Sequence, residues 1–236
     1  MTEIKICGIT NHRDAQFTAD SGVHALGFIL YPPSPRYVTP EKVRSIVDAL
    51  PPELIRVGVF VNQPEDEIRD IITFCNLDLL QLHGDESSEF SARFPSSRVI
   101  KAFFLSQEED VKKAEVYPAG AILVDARSGG LYGGTGRRSN WGLAEKLARC
   151  RPLILAGGLD GSNIVNALRA VSPRAVDINS GCETKPGVKD HEKIRTIIDK
   201  VKSRDSSLFL QGAKEERFPV FCRATGAQDL EYLKKR

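Results

Sequence analysis

Cys7 ends the apolar run that begins at Ile4 and stands two residues after Lys5. Residues two apart in a strand share a face, so a strand here sets the thiol beside an ammonium. A positive neighbour favours the thiolate over the ordinary thiol value of about 8.5, which makes Cys7 a candidate proton-abstracting base. The competing reading is a buried cysteine that packs as a small hydrophobe. Asp125 closes Ala121-Ile122-Leu123-Val124. A carboxylate there is a candidate general acid, since an unpaired charge in a core is costly; a turn or cap aspartate is the alternative. Arg36 follows the stiff Pro32-Pro33-Ser34-Pro35 segment and offers a planar guanidinium to a carboxylate. Gly157-Gly158 and Ser180-Gly181 each follow an apolar run and read as turns whose main-chain N–H groups bind a phosphate. His83, after Gln81-Leu82, and Asp177, before Ile178, are candidate substrate contacts.

These residues are useful together only if one architecture brings run ends to one place. Eight β-type runs recur: Ile4–Cys7, Ala25–Leu30, Ile55–Val61, Leu77–Leu82, Val99–Phe104, Ala121–Val124, Leu153–Ala156 and Ala175–Ile178. Most are nearly continuously apolar, as expected of parallel strands covered on both faces. Helix signals lie between them. Thr39-Pro40-Glu41 supplies an N-cap, a proline at the first position and an early acid, and Pro64-Glu65-Asp66-Glu67 precedes Ile68, Ile71 and Ile72. Asn11 or Asp14, Ser162-Asn163 and Asp190 open further helical stretches. Eight strand–helix units by residue 202 predict an α/β fold of the (β/α)8 TIM-barrel type, with catalytic groups on the C-terminal rim of the strands. An open doubly wound sheet is the competitor, but Cys7-Gly8-Ile9-Thr10 is not its G-x-G-x-x-G fingerprint. Residues 1–202 are thus expected to form the barrel catalytic domain. Residues 203–236 are read as a C-terminal tail of unknown role, with Ser203–Ser207 a linker, short apolar runs at Leu208–Leu210 and Phe218–Cys222, and a helix in Asp229–Lys235. Ser128–Gly136 is too glycine-rich for a helix and reads as a lid without a P-loop ending.

Composition narrows the ligand. The 236 residues carry 33 basic and 31 acidic side chains, a net charge of +2, and residues 1–202 are balanced. A body without a global field favours a small-molecule phosphorylated substrate over nucleic acid or a membrane surface. No apolar run reaches the roughly 18 residues of a membrane span, and Met1–Ile6 lacks the pattern of a signal peptide. Five scattered cysteines without a CxxC pair argue for a reducing, cytoplasmic setting and against structural zinc. The histidines at 12, 24, 83 and 191 show no metal-ligand spacing, so no metal is assigned. Oligomeric state is not legible.

The motifs "KICGIT", "GFILYPPSPRYVTPE", "VGVFVN", "QLHGDE", "YGGTG", "LAGGL" and "DINSGCETKPGVKD" run in order across roughly residues 3–200. Together they resemble the phosphoribosylanthranilate isomerase family of tryptophan biosynthesis. The resemblance implies Cys7 as base, Asp125 as acid, Arg36 facing the anthranilate carboxylate, and Gly157-Gly158 with Ser180-Gly181 holding the phosphate. It implies an Amadori rearrangement without cofactor. Two positions depart from the family pattern: Ser139-Asn140 stands where Phe-Asp precedes Trp141, and Asn179 replaces a serine. Other phosphosugar barrels are the alternative enzyme class, but an aldolase needs a Schiff-base lysine at a strand end and the related imidazole-pathway isomerase has aspartate at Cys7. A non-catalytic barrel would be expected to lack the acid or the base.

Overall fold

The computed structural model describes residues 1–126, 139–210 and 219–221. The expected lid at Ser128–Gly136 and the expected helix at Asp229–Lys235 lie outside the described residues.

Eight parallel strands close on themselves in chain order: β1 (Glu3–Ile6), β2 (Ala25–Ile29), β3 (Ile55–Phe60), β4 (Leu79–Leu82), β5 (Val99–Phe104), β6 (Ala121–Asp125), β7 (Leu153–Leu155) and β8 (Ala175–Ile178). Closure is made by β1 against β8, with Lys5 opposite Asp177. Helices intervene as α1 (His12–Asp20), α2 (Pro40–Val47), α3 (Glu65–Phe74), α4 (Ser88–Ser91), α5 (Glu108–Val116), α6 (Trp141–Ala148), α7 (Ile164–Val171) and α8 (His191–Leu210). The β8–α8 loop carries a short hairpin, β9 (Glu183–Lys185) and β10 (Val188–Lys189).

Local chemistry starts the helices where the sequence signals them. Asn11 accepts from the Asp14 N–H and Thr39 from the Lys42 N–H. Asp190 accepts from the Glu192 and Lys193 N–H groups, each at 3.1 Å. Each side-chain oxygen thereby satisfies an otherwise orphaned helical N–H. The departing pair at 139–140 is structurally employed: Asn140 caps α6 by accepting from Leu143 N–H, and Ser139 Oγ donates to the Ala156 carbonyl at 2.9 Å.

Two apolar layers result. The larger lies between strands and helices, with Ile6, Phe28, Val43, Ile68, Leu168 and Ile197 all buried. The smaller fills the barrel interior and includes Ala25, Ile55, Leu79, Ala121, Ile154 and Ala175.

The tail begins differently from expectation. Ser203–Ser207 is continuous helix within α8, so the linker reading is corrected and the helix crosses the boundary expected at 202. Long-range contacts hold this part: Arg204 Nη2 donates to the Leu168 carbonyl at 3.1 Å, and Asp205 accepts from the Thr2 N–H and, at 3.1 Å, from its hydroxyl.

Candidate active site at the C-terminal rim

The pleat of β1 turns Glu3, Lys5 and Cys7 toward the barrel axis, from floor to mouth. Lys5 is fully buried and donates to Asp177 Oδ2 at 2.8 Å, while also hydrogen-bonding the Cys7 thiol. Burial alone would lower the Lys5 pKa, but Asp177 and Cys7 outweigh it and hold the lysine charged. For Cys7 the balance runs the other way from the sequence expectation. Burial pushes the thiol up, Asp177 adds to this, and Lys5 and Lys189 offset it only in part, so its pKa is raised. Removing a charge-bearing form from water outweighs one nearby ammonium that is itself shared with a carboxylate. Gly27 on β2 makes room for this pair: a Cβ there would stand 2.7 Å from Cys7 Sγ and 2.9 Å from Lys5 Nζ.

Across the mouth, Asp125 is the last residue of β6, with Oδ1 accepting from Ala126 N–H at 2.7 Å. Its Oδ2 lies 3.2 Å from His83 Nε2, and His83 Nδ1 is 2.8 Å from Gln81 Nε2. His83 therefore faces Asp125. Glu86, within the quoted "QLHGDE", fixes this corner by accepting from the Gly84 and Asn62 N–H groups, both at 2.9 Å, and from Lys101 Nζ at 2.7 Å. Sequence reasoning missed Glu86 and Lys101. The signal was an acid two residues past a strand-end Gly, and a lysine inside an apolar strand.

Arg36 is buried, 7% exposed. Its Nε reaches Glu183 Oε1 at 3.0 Å and Nη2 reaches Oε2 at 2.7 Å. Glu183 also accepts from Lys189 Nζ at 3.0 Å and from Gly187 N–H at 3.2 Å. Burial pushes the Glu183 carboxyl up, but Arg36 and Lys189 outweigh it and hold it below the ordinary range. Lys189 Nζ further donates to Asn179 Oδ1 at 3.1 Å. Glu183 and Lys189 are rim residues that no local pattern singles out, and Asn179, a departure from the family pattern, joins them.

The two glycine-bearing turns meet. Gly157 and Gly158 have φ of +83° and +62°, a left-handed pair that glycine adopts without a Cβ clash. A Cβ on Gly157 would also come within 3.1 Å of Asp125 Oδ1. A Cβ on Gly181 would stand 1.9 Å from the Leu159 carbonyl oxygen, so the loop after β8 packs main chain to main chain on the loop after β7. Among the described residues, none accepts from the N–H of Gly157 or Gly158. Gly157, Gly158, Ser180 and Gly181 are all partly exposed.

The rim thus gathers Cys7 with Lys5 and Asp177, Asp125 with His83, Arg36 with Glu183, and two glycine-bearing turns, the first with open main-chain donors among the described residues. Gln81 Oε1 and Asp177 Oδ1 are buried without a hydrogen-bond partner among the described residues. Buried polar atoms are normally satisfied, so unpaired ones in a barrel mouth point to a polar ligand. Among the described residues no three His, Cys, Asp or Glu side chains are placed to hold a metal ion, and no helix is long and apolar enough to cross a membrane. Cys7, Cys75, Cys150 and Cys182 are free thiols.

Fold and rim together define a (β/α)8 barrel with a carboxylate, a thiol and two glycine-bearing turns around one mouth. The family model for N-(5'phosphoribosyl)anthranilate (PRA) isomerase matches residues 4–200, and the chain belongs to that family. The N-(5'-phosphoribosyl)anthranilate isomerase of Syntrophus aciditrophicus is 47% identical over 231 residues, covering 94% of this chain and 98% of the relative. That of Thermotoga neapolitana is 46% identical over 204 residues, covering 86% and 99%. Among solved structures, the Thermotoga maritima phosphoribosyl anthranilate isomerase is 41% identical with a TM-score of 0.79, covering 86% of this chain and 100% of its own. A phosphoribosyl anthranilate isomerase in complex with reduced 1-(o-carboxyphenylamino)-1-deoxyribulose 5-phosphate is 40% identical with a TM-score of 0.77, at the same coverage.

Proposed function

We propose that this chain is a phosphoribosylanthranilate isomerase of tryptophan biosynthesis. It carries out the Amadori rearrangement of N-(5-phosphoribosyl)anthranilate to 1-(2-carboxyphenylamino)-1-deoxyribulose 5-phosphate. The observation that carries this reading is the joint presence, in a member of that family, of a thiol just past β1 and a carboxylate ending β6 on one rim. The solved relative that holds the reduced product analogue supports a phosphorylated small-molecule substrate.

The reaction needs an acid and a base in sequence. Asp125 delivers a proton to the furanose ring oxygen as the bond from C1′ to that oxygen breaks, leaving an iminium between C1′ and the anthranilate nitrogen. Cys7 removes the C2′ proton onto its sulfur, with the Lys5 ammonium favouring the ionised form against the burial that disfavours it, and the electron pair neutralises the iminium to give an enolamine. Tautomerisation then moves a proton to C1′ and leaves the C2′ ketone. The Ala126 N–H that holds Asp125 Oδ1, with His83 3.2 Å from Oδ2, and Lys5 beside Cys7 support this division of roles, because each reacting group has a neighbour that orients it. Asp177 keeps Lys5 in place with one oxygen and has the other open for a substrate hydroxyl. The turns at Gly157-Gly158 and Ser180-Gly181 take the phosphate through main-chain N–H groups, and Arg36 takes the anthranilate carboxylate.

The test is turnover: purified protein mixed with freshly prepared phosphoribosylanthranilate should abolish the substrate's fluorescence. Loss at no more than the spontaneous rate would refute the assignment.

A further inference from the structure

The barrel floor has an occupant whose role no known feature of the rim explains. Ala25, Ile55, Leu79, Ala121 and Ala175 are the first residues of β2, β3, β4, β6 and β8, and they line the N-terminal end of the interior. Three of the five are alanine. Bulky branched side chains ordinarily fill a barrel layer, so this layer is short of volume. Phe221, only 5% exposed, packs into the cluster, with Val220 against it. The contact is also polar. Glu3 opens β1 with its side chain turned toward the axis, and its Oε2 accepts from the N–H of Val220 at 2.5 Å and of Phe221 at 3.3 Å. A carboxylate in an apolar floor is costly unless such donors satisfy it.

The path of the chain fits this arrangement. Asp205 in α8 bonds Thr2, the residue before Glu3, so the last helix returns beside the floor. Eight residues separate Leu210 from Pro219. Part of the extension is matched by a relative. An alignment that stopped at residue 202 of 236 would cover at most 86% of the chain, which is the Thermotoga neapolitana figure, whereas the Syntrophus aciditrophicus relative covers 94%.

We propose that the barrel floor is a docking socket for the chain's own Pro219-Val220-Phe221 segment. Phe221 supplies the missing volume of the bottom layer and Glu3 recognises the segment through its two main-chain N–H groups. The plug serves folding stability and leaves the chemistry at the opposite rim untouched.

The experiment compares the full-length chain with its Phe221→Ala variant by thermal melting at two protein concentrations a hundredfold apart. It also measures kcat/KM at 25 °C and amide exchange of the wild type. Phe221→Ala should lower Tm by roughly 5–10 °C, the range for a large apolar side chain removed from a core near a chain end. Its kcat/KM should stay within about twofold of wild type. The Tm difference between wild type and variant should be the same at both concentrations, and in the wild type the Val220 and Phe221 amides should exchange at least about a hundredfold more slowly than in an unfolded chain. Unprotected amides or an unchanged Tm would overturn the proposal. A Tm difference between wild type and variant that grows with concentration would place the segment in a second copy and overturn it too. A large loss of kcat/KM in the folded variant would contradict the separation of floor from rim. If Phe221→Ala fails to fold, the wild-type amide exchange decides.

Discussion

Replacing Arg36 with methionine separates two jobs of one guanidinium. A free Arg fork would grip a substrate carboxylate with two parallel bonds. Here Nε and Nη2 are already spent on Glu183, which leaves Nη1 as the donor for a ligand. One charge-assisted hydrogen bond is worth about 1.5–3 kcal/mol, so Arg36→Met should lower kcat/KM for phosphoribosylanthranilate by about 10- to 150-fold. An analogue built on aniline, without the carboxylate, should lose less than about threefold. The stability cost is separate. Glu183 would keep Lys189 and the Gly187 N–H, so the loss should be smaller than the roughly 3–5 kcal/mol of a fully broken buried pair. About 2 kcal/mol, or a Tm lower by about 4–8 °C, is expected. Steady-state kinetics on both substrates, with melts of both proteins, read out the two effects. An equal loss on the two substrates would refute the carboxylate role and leave Arg36 as the partner of Glu183 alone.

Three further outcomes follow from the same geometry. Gly181→Ala puts a Cβ 1.9 Å from a main-chain oxygen, so the loops after β7 and β8 must part, and a several-fold rise in KM with a lower Tm is expected in kinetics and melts. Gly158→Val should raise KM more than it lowers kcat, and in the wild type inorganic phosphate should compete with substrate; an unchanged KM would move the phosphate elsewhere. Glu183 is held below the ordinary glutamate range, so the unfolded chain binds its proton first as pH falls. Its contribution to stability is present above about pH 4.3 and is lost as pH falls through the lower folded value. Denaturant melts of wild type and Glu183→Gln from pH 3 to 6 should show a steeper fall in the wild type.

Much of the fold was legible because parallel strands buried on both faces leave unbroken apolar runs. Val99–Phe104 and Ala175–Ile178 coincide with β5 and β8. At β4 the run began two residues early, because Leu77 N–H still closes the end of α3 onto Ile72 and only Leu79 enters the sheet. The polar Ser203–Ser207 stretch read as a linker because polarity reports exposure, not conformation; contacts to Leu168 and Thr2 keep it helical. The Lys5–Cys7 pairing followed from strand period, but the depth of burial and the share of Lys5 taken by Asp177 depend on closure of the barrel, and these decide the direction of the thiol's pKa. Arg36 and Glu183 are 147 residues apart, and no local pattern announces such a pair. Floor plugging by Phe221 is likewise a contact across nearly the whole chain, visible only once Glu3 and the alanines of the bottom layer are seen together.

The central claim is that Cys7 and Asp125 divide the proton transfers of the rearrangement. The most direct measurement is kcat of Cys7→Ala and Asp125→Asn at saturating substrate, on preparations whose Tm matches the wild type within a few degrees. A positioned acid or base contributes about 10²- to 10⁴-fold, and each variant should lose at least the lower figure. Either variant retaining more than about a tenth of wild-type kcat would contradict the assignment of that residue.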